Sequence, residues 1–156
     1  SLLFVGTKKQ AQEAVAEAIE NNVRHRIFKE QLKDPAYFET MSKLLDEIIA
    51  ARKQAAIEYA EYLKRIEELV KKVVAGKADG TPKSLDTPGK RALFNNLDKN
   101  EAQALAIDQA IHANKPDAWR GVPAKERTIK QAMYMVLKSP AEVERLFPIV
   151  VAQAEY

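Results

Sequence analysis

Cysteine is absent from this chain of 156 residues, and glycine is scarce, with five in all. The absence of cysteine excludes a disulfide framework, a thiol nucleophile and a cysteine-ligated zinc site. Five glycines leave little material for phosphate-binding loops or β-hairpins. No apolar run approaches the ~18 residues that a membrane span needs, and the N-terminus lacks the order of a signal peptide. These absences favour a cytoplasmic, helix-rich protein.

Positive charge is present but is not concentrated in one region. Lys and Arg number 25 against 22 Asp and Glu, which gives a formal net charge of +3. Proteins that bind DNA on their own gather positive charge on one face, because phosphate neutralisation supplies most of their affinity. The balance of charge therefore argues against strong autonomous DNA binding and leaves weak or assisted contact open.

Capping residues predict where the helices begin. Thr7 with Gln10 fits a capping box, which predicts a helix to about Leu32. Its predicted buried face repeats every four residues, through Val15, Ile19, Val23 and Ile27. Asp34-Pro35 predicts the next start, because Asp is a favoured N-cap and Pro is tolerated at the first helical position. The later predicted N-caps are Thr87, Asp98 and Ser139, with a loop over residues 115–123 between the last two.

The pattern between residues 36 and 74 could form one continuous helix. A globular helix of that length is unusual, so we expect a break near residues 54–58 and two antiparallel helices. Residues 76–86 (GKADGTPKSLD) form the one clear linker. The sequence therefore predicts an all-α helical bundle of about six to seven helices. It is either one domain over residues 1–156 or two packed lobes, 7–75 and 87–156, joined by that linker.

Two later helices carry more specific expectations. The helix after Asp98 is apolar nearly all round, which predicts a central, buried helix. Its apolar residues are Ala102, Leu105, Ala106, Ile107, Ala110 and Ile111. Pro148 falls inside the last helix and should kink it, because its nitrogen cannot donate to the carbonyl of Glu144.

Motifs for phosphate or metal chemistry are not found. Two Gly-Lys pairs, at 76–77 and 89–90, are followed by Ala78 and Arg91 rather than by the Ser or Thr of a phosphate loop. None of the 17 lysines has Asp or Glu two positions earlier, the spacing that common metal-dependent nucleases use. We therefore expect no catalytic, cofactor-binding or metal-ligating residue in this chain.

Asp108 and His112 are four residues apart and share a helix face. They could form an acid–base pair. The more ordinary interpretation is a hydrogen bond on the helix surface, near a C-terminus where the helix dipole favours a cationic imidazole. The ordinary interpretation is preferred here.

Eight residues are candidates for contact with a partner or with DNA. Among them, Arg26, Lys29 and Lys33 lie along one face of the first predicted helix, and a solvated face balanced by nearby glutamates is the alternative. Trp and Arg dominate protein–protein hot spots, so a Trp119-Arg120 loop could anchor a partner. A Trp packed into the bundle with its N–H bonded is the alternative. The full set is Arg24, Arg26, Lys29, Lys33, Lys90, Arg91, Trp119 and Arg120.

Six segments resemble the C-terminal helical region of the endonuclease/motor (R) subunit of type I restriction–modification enzymes, and the resemblance covers about residues 13–156. In the second half they are Ser84–Leu97 (SLDTPGKRALFNNL), Glu101–Ile111 (EAQALAIDQAI) and Asp117–Gly121 (DAWRG). Upstream they are Asn21–Ile27 (NNVRHRI), Asp34–Lys53 (DPAYFETMSKLLDEIIAARK) and Glu58–Val73 (EYAEYLKRIEELVKKV). A shorter likeness, of Leu2–Val15 to a bacterial small-ribosomal-subunit protein, is not continued downstream.

This resemblance implies a C-terminal domain of a larger R subunit. The parent would be an ATP-dependent type I site-specific deoxyribonuclease, whose nuclease and motor lobes, with their ATP and Mg, lie in earlier parts of the chain. The domain itself would be non-catalytic and without a cofactor. It would dock the R subunit onto the methyltransferase (M) and specificity (S) subunits, beside its own motor lobes and the DNA of the assembled complex. The alternative is a helical domain that contacts nucleic acid through the basic face Arg24–Lys33.

Overall fold

The computed structural model describes the backbone of residues 2–156 and the side chains from residue 7 onward. Over these residues the chain forms seven α-helices and one short 3₁₀-helix, with no strand, which confirms the all-α class. They are α1 (Leu2–Glu30), α2 (Pro35–Lys53), α3 (Tyr59–Ala75), α4 (Pro88–Asn95), α5 (Glu101–Asn114), α6 (Pro123–Leu137) and α7 (Pro140–Ala152), with the 3₁₀-helix at Gln31–Lys33. None of these helices is long and apolar enough to span a membrane.

Several predicted helix boundaries are confirmed. The side chains of Thr87 and Ser139 accept hydrogen bonds from the third backbone N–H beyond them, at the starts of α4 and α7. Asp34 does the same for α2, where its Oδ1 lies 3.2 Å from the backbone nitrogen of Tyr37. Residues 54–58 separate α2 from α3, as the length argument predicted.

Two predicted helix starts are wrong. Helix α1 begins at Leu2, so the Thr7–Gln10 pair lies inside the helix and caps nothing. Helix α5 is capped by Asn100, whose side chain accepts from the backbone N–H of Gln103. Asp98 adopts a left-handed backbone instead, with φ of 50°. In both places a side chain suited to capping sits a few residues away from the actual start.

The chain divides into two compact units. Unit 1 contains the residues up to Glu30 and Phe38–Gly76, whereas unit 2 contains Gln31–Tyr37 and Lys77–Tyr156. The short segment 31–37 groups with unit 2, although the lobes drawn from the sequence placed it in the first. Hydrogen bonds explain the grouping, because the Asp34 carboxylate accepts from the Nδ2 atoms of Asn95 at 2.8 Å and Asn96 at 2.9 Å.

The buried face of α1 in unit 1 differs from the predicted one. Its buried residues are Ala16, Glu20, Val23 and Ile27. Val15 was expected on this face but is 50% exposed. A row spaced strictly by four residues drifts around a helix of 3.6 residues per turn, so such a row cannot stay buried over three turns.

One buried ionic cluster joins the three helices of unit 1. Glu20 from α1 accepts two hydrogen bonds from Arg52 of α2, at 2.7 Å from Nε and 2.9 Å from Nη2. The Tyr62 hydroxyl of α3 donates to the same carboxylate at 2.7 Å. The Glu20 side chain is 7% exposed and that of Arg52 12%, so the two-point contact is largely shielded from water.

Electrostatics fix the protonation states in this cluster. Burial by itself would raise the pKa of Glu20, but the hydrogen bonds from Arg52 and Tyr62 and the charge of Arg52 outweigh it and hold that pKa below its ordinary value. Burial, with the hydrogen bond to Glu20, raises the pKa of Tyr62. The carboxylate therefore stays ionised as an acceptor, and the phenol stays protonated as a donor.

Unit 2 is built around a fully buried apolar core. Helix α5 lies against α4 and α6, and its buried apolar residues are Ala104, Ile107 and Ile111. Ala102 is exposed and Leu105 is half-buried, so α5 is covered on one side rather than all round. Helix α7 runs through Pro148 to Ala152. The fully buried side chains of the core include Leu93, Ile107, Ile111, Ile129, Met133, Leu146 and Val150.

We expect Glu20→Gln to destabilise the protein by about 3 kcal/mol at pH 7, because removing one partner of a buried ion pair leaves the other charge uncompensated. The lowered pKa of Glu20 also gives a stabilisation that is complete above its ordinary pKa of 4.5 and is lost as pH falls through the lower folded value. Urea unfolding, followed by far-UV circular dichroism between pH 7 and pH 3, measures both effects.

Glu17→Gln is the matched control, because Glu17 is exposed on the same helix. It should keep the wild-type stability and the wild-type loss in acid. Equal behaviour of the two variants would contradict the role given to the cluster.

Candidate interaction surface

Trp119, which the sequence offered as a partner anchor, lies inside unit 2. Its side chain is 3% exposed, and its Nε1 donates to the main-chain oxygen of Tyr156 at 2.9 Å. The ring packs against Phe147, with the centroids 6.0 Å apart. Of the two interpretations of Trp119, the packed ring with a bonded N–H describes its position.

Arg120 is exposed but is bound to the end of α7. Its guanidinium carbon lies 4.5 Å from the centroid of the Trp119 ring, a cation–π contact. Its Nε donates to the carbonyl of Val151 at 3.0 Å, and its Nη2 donates to the carbonyl of Gln153. Carbonyls at a helix C-terminus lack hydrogen-bond donors within the helix, and Arg120 donates to two of them.

The last two residues close over α4 and α5. The Glu155 carboxylate accepts from the backbone N–H of Gly89, and the Tyr156 hydroxyl donates to Asp108. A Cβ atom at position 89 would lie 2.6 Å from Glu155 Oε1 and 2.9 Å from the Tyr156 hydroxyl. Only glycine permits this approach, a constraint that nothing in the local sequence signals.

Asp108, His112 and Glu155 are the described residues that could hold a metal ion. One ligand atom from each lies within 4.8 Å of the others, and His112 Nε2 is 3.5 Å from Asp108 Oδ1. Both carboxylates, however, already accept the hydrogen bonds from Tyr156 and Gly89. Burial, with the bond to Asp108, raises the pKa of Tyr156, so its hydroxyl stays a donor. These contacts fix the end of the chain: Asp108 accepts from Tyr156, Glu155 accepts from Gly89, and the His112 ring lies against that of Tyr156, with the centroids 5.1 Å apart.

The basic residues predicted on the first helix differ in what they contact. Arg24 pairs with Asp46 of α2, at 2.8 Å between Nη2 and Oδ1. Arg26 and Lys29 are exposed and make no hydrogen bond or ion pair within the described chain. Lys33 is exposed in the 3₁₀-helix and belongs to unit 2. Among the predicted contact residues, Arg26 and Lys29 are therefore the unpaired cations of α1.

Lys90 and Arg91 are tied to the end of the linker. The Lys90 ammonium lies 2.9 Å from Asp86 Oδ1, and Arg91 Nη1 donates to the carbonyl of Leu85 at 3.2 Å. The Nε atom of Arg91 is buried without a hydrogen-bond partner. These contacts anchor α4 to the segment before it and leave little of either cation for a partner.

Several large apolar side chains are exposed, and the sequence analysis did not single them out. Phe28 is 73% exposed, Leu32 77%, Met135 61% and Tyr134 41%. Phe28 follows directly after Ile27 of the predicted buried face, where a row spaced by four residues gives no reason to expect a second exposed apolar residue. Exposed apolar residues mark an interaction surface where they form a contiguous patch.

Comparison with known proteins leaves this picture unchanged. No family model, curated protein or solved structure matches the chain at a significant level. Inference about function therefore rests on the residues and contacts described above.

We expect Trp119→Ala to destabilise the protein by about 3–5 kcal/mol, because it removes a fully packed aromatic ring. Trp119→Phe keeps a ring but loses the hydrogen bond to Tyr156, which should cost about 1–3 kcal/mol. Urea unfolding followed by far-UV circular dichroism measures both. Tyr134→Ala, at a 41% exposed aromatic of the same unit, is the control and should change little. If the Trp119→Ala protein is as stable as wild type, the packed interpretation is wrong and Trp119 is again a candidate for contact with a partner.

Proposed function

We propose that this chain is a non-catalytic assembly domain of a type I restriction enzyme R subunit. It docks the nuclease and ATP-dependent DNA translocase of that subunit onto the M and S subunits. The parent complex cleaves unmodified DNA in the cytoplasm, and its ATP and Mg belong to parts of the R subunit outside this domain. The sequence resemblance over residues 13–156 and the all-helical fold support the proposal.

The observation that carries the proposal is the contrast between bonded polar groups and exposed apolar ones. The buried carboxylates Glu20, Asp34 and Asp108 all accept hydrogen bonds from within the chain. Carboxylates that are hydrogen-bonded in this way stabilise the fold and are not free to bind a substrate. By contrast, Phe28, Leu32 and Met135 are each more than 60% exposed. Exposed apolar side chains, present in each of the two units, fit a domain that acts by contact with other proteins.

Analytical ultracentrifugation of the labelled chain with the cognate M and S subunits tests the proposal. We expect co-sedimentation without DNA, because apolar docking needs no nucleic acid. The M subunit alone, the S subunit alone and an unrelated helical protein of similar mass are the controls. No co-sedimentation, with or without the recognition DNA, would contradict the docking function. Binding only with DNA present would favour the second candidate below.

The second candidate is a helical domain that contacts nucleic acid through Arg26 and Lys29. The favouring observation is that both cations are exposed and unpaired on α1. Filter binding of duplex DNA at two salt concentrations tests it, since binding that releases counterions weakens steeply with salt. Arg26→Ala/Lys29→Ala should abolish retention, whereas Arg127→Ala/Lys138→Ala, which removes equal charge from unit 2, should not. Absence of binding at low salt removes this candidate.

A further inference from the structure

A surface groove lies between α5 and α6 within unit 2. Its volume is about 320 Å³. The floor and walls include Ala110 of α5 and Ala132, Met135 and Val136 of α6. Met135 is 61% exposed, and methionine side chains adapt their shape readily to an apolar partner. The groove therefore offers apolar surface at the outside of a well-packed unit.

The polar residues of this groove carry no negative charge. Asn114, Thr128 and Gln131 complete its lining, and none of them is ionisable. The side chains of Asn114 and Thr128 bond to carbonyls of their own helices, those of Ala110 and Ala124. These uncharged side chains therefore give the groove no electrostatic preference among apolar, positively charged and negatively charged occupants.

Two free cations lie beside the lining residues of α6. Arg127 precedes the lining residue Gln131 by one helical turn and lies on the adjoining strip of the helix surface. Lys138 is the residue at which α6 ends, with a left-handed backbone (φ 55°), three residues after Met135. Both are exposed and make no ion pair within the described chain, whereas Lys130 of α6 pairs with Glu144. The charge bordering the groove is therefore positive.

A second groove, in unit 1, does not have this positive border. It is lined by residues of α2 and α3 that include Glu47, Glu68 and Arg65. Mixed charge gives that groove no preference for either sign of partner. The α5–α6 groove is lined by apolar and uncharged side chains, so a phosphate backbone would meet no cation inside it.

We propose that the α5–α6 groove binds an amphipathic α-helix whose apolar stripe is flanked by Asp or Glu. An apolar helix face fills such a groove through side chains spaced three and four residues apart, and its acidic flank meets Arg127 and Lys138. That the helix belongs to the M or S subunit rests on the proposed function. The chemistry of the helix rests on the groove alone.

The test titrates the whole chain with two stapled peptides as long as α6, 15 residues. One has a leucine stripe flanked by Glu, and the other has the same stripe flanked by Lys. Methyl NMR signals of Met135, Ala110 and Ala132 report occupation of the groove. We expect saturable shifts with the Glu peptide, and at least about tenfold weaker binding of the Lys peptide and of Arg127→Glu/Lys138→Glu protein, which is about 1.4 kcal/mol.

Three outcomes overturn the proposal. They are the absence of shifts with both peptides, equal binding of the two, and shifts at the groove with duplex DNA but not with the Glu peptide.

Binding to the M and S subunits separates this proposal from the docking function. Met135→Glu should weaken binding of the chain to the M and S subunits at least about tenfold, as loss of a central contact does. Val74→Glu, at a residue 59% exposed in unit 1, should leave it unchanged. If the wild type fails to bind the subunits while the Glu peptide fills the groove, the docking function fails and the groove stands. If Met135→Glu binds the subunits like wild type and neither peptide shifts the methyl signals, the groove fails and the docking function stands.

Discussion

A carboxylate removed from water destabilises a fold unless hydrogen-bond donors surround it, and three such groups organise this protein. Glu20 accepts two hydrogen bonds from Arg52 of α2 and one from Tyr62 of α3, and Asp34 accepts amide hydrogen bonds from the end of α4. Asp108 receives the hydroxyl of Tyr156. Each carboxylate thereby joins segments 32 to 62 residues apart in sequence. Apolar packing supplies the driving force, but these groups select which helices meet, because an alternative packing would leave them without donors.

The kind of donor decides how each carboxylate responds to acid. Glu20 faces a guanidinium, and its pKa is lowered. Asp34 has neutral amides as its direct donors, so burial prevails and raises its pKa. A raised pKa means that ionisation of Asp34 is less favourable in the folded state than in the unfolded chain. Acidification therefore relieves a cost at Asp34 in unit 2, while it removes a stabilisation at Glu20 in unit 1. The two units carry opposite electrostatic responses.

Local chemistry was predictable from the sequence, and distant contacts were not. The caps at Thr87 and Ser139 and the break at 54–58 depend on a few adjacent residues or on chain length, and they were predicted. The approach of Glu155 to Gly89 joins residues 66 apart, so no local signal could show it. The burial of Trp119 depends on the same distant segment, because the main-chain oxygen that accepts from its N–H belongs to Tyr156. The residue type alone suggested a hot spot. Arg26 and Lys29 were placed correctly as surface cations, whereas Arg24 was not free, since its partner Asp46 lies on another helix.

The state of the titratable groups bears on what the molecule can do. Burial raises the pKa of Tyr37 to about 12, and Tyr62 and Tyr156 are shifted in the same direction, so these phenols keep their protons near neutral pH. General acid–base catalysis needs groups whose pKa lies near the working pH. Here the pKa values of the strongly shifted tyrosines move away from it, and the hydroxyls of Tyr62 and Tyr156 serve as hydrogen-bond donors. The described chain also exposes large apolar side chains and unpaired cations, and the proposed recognition of another protein rests on these.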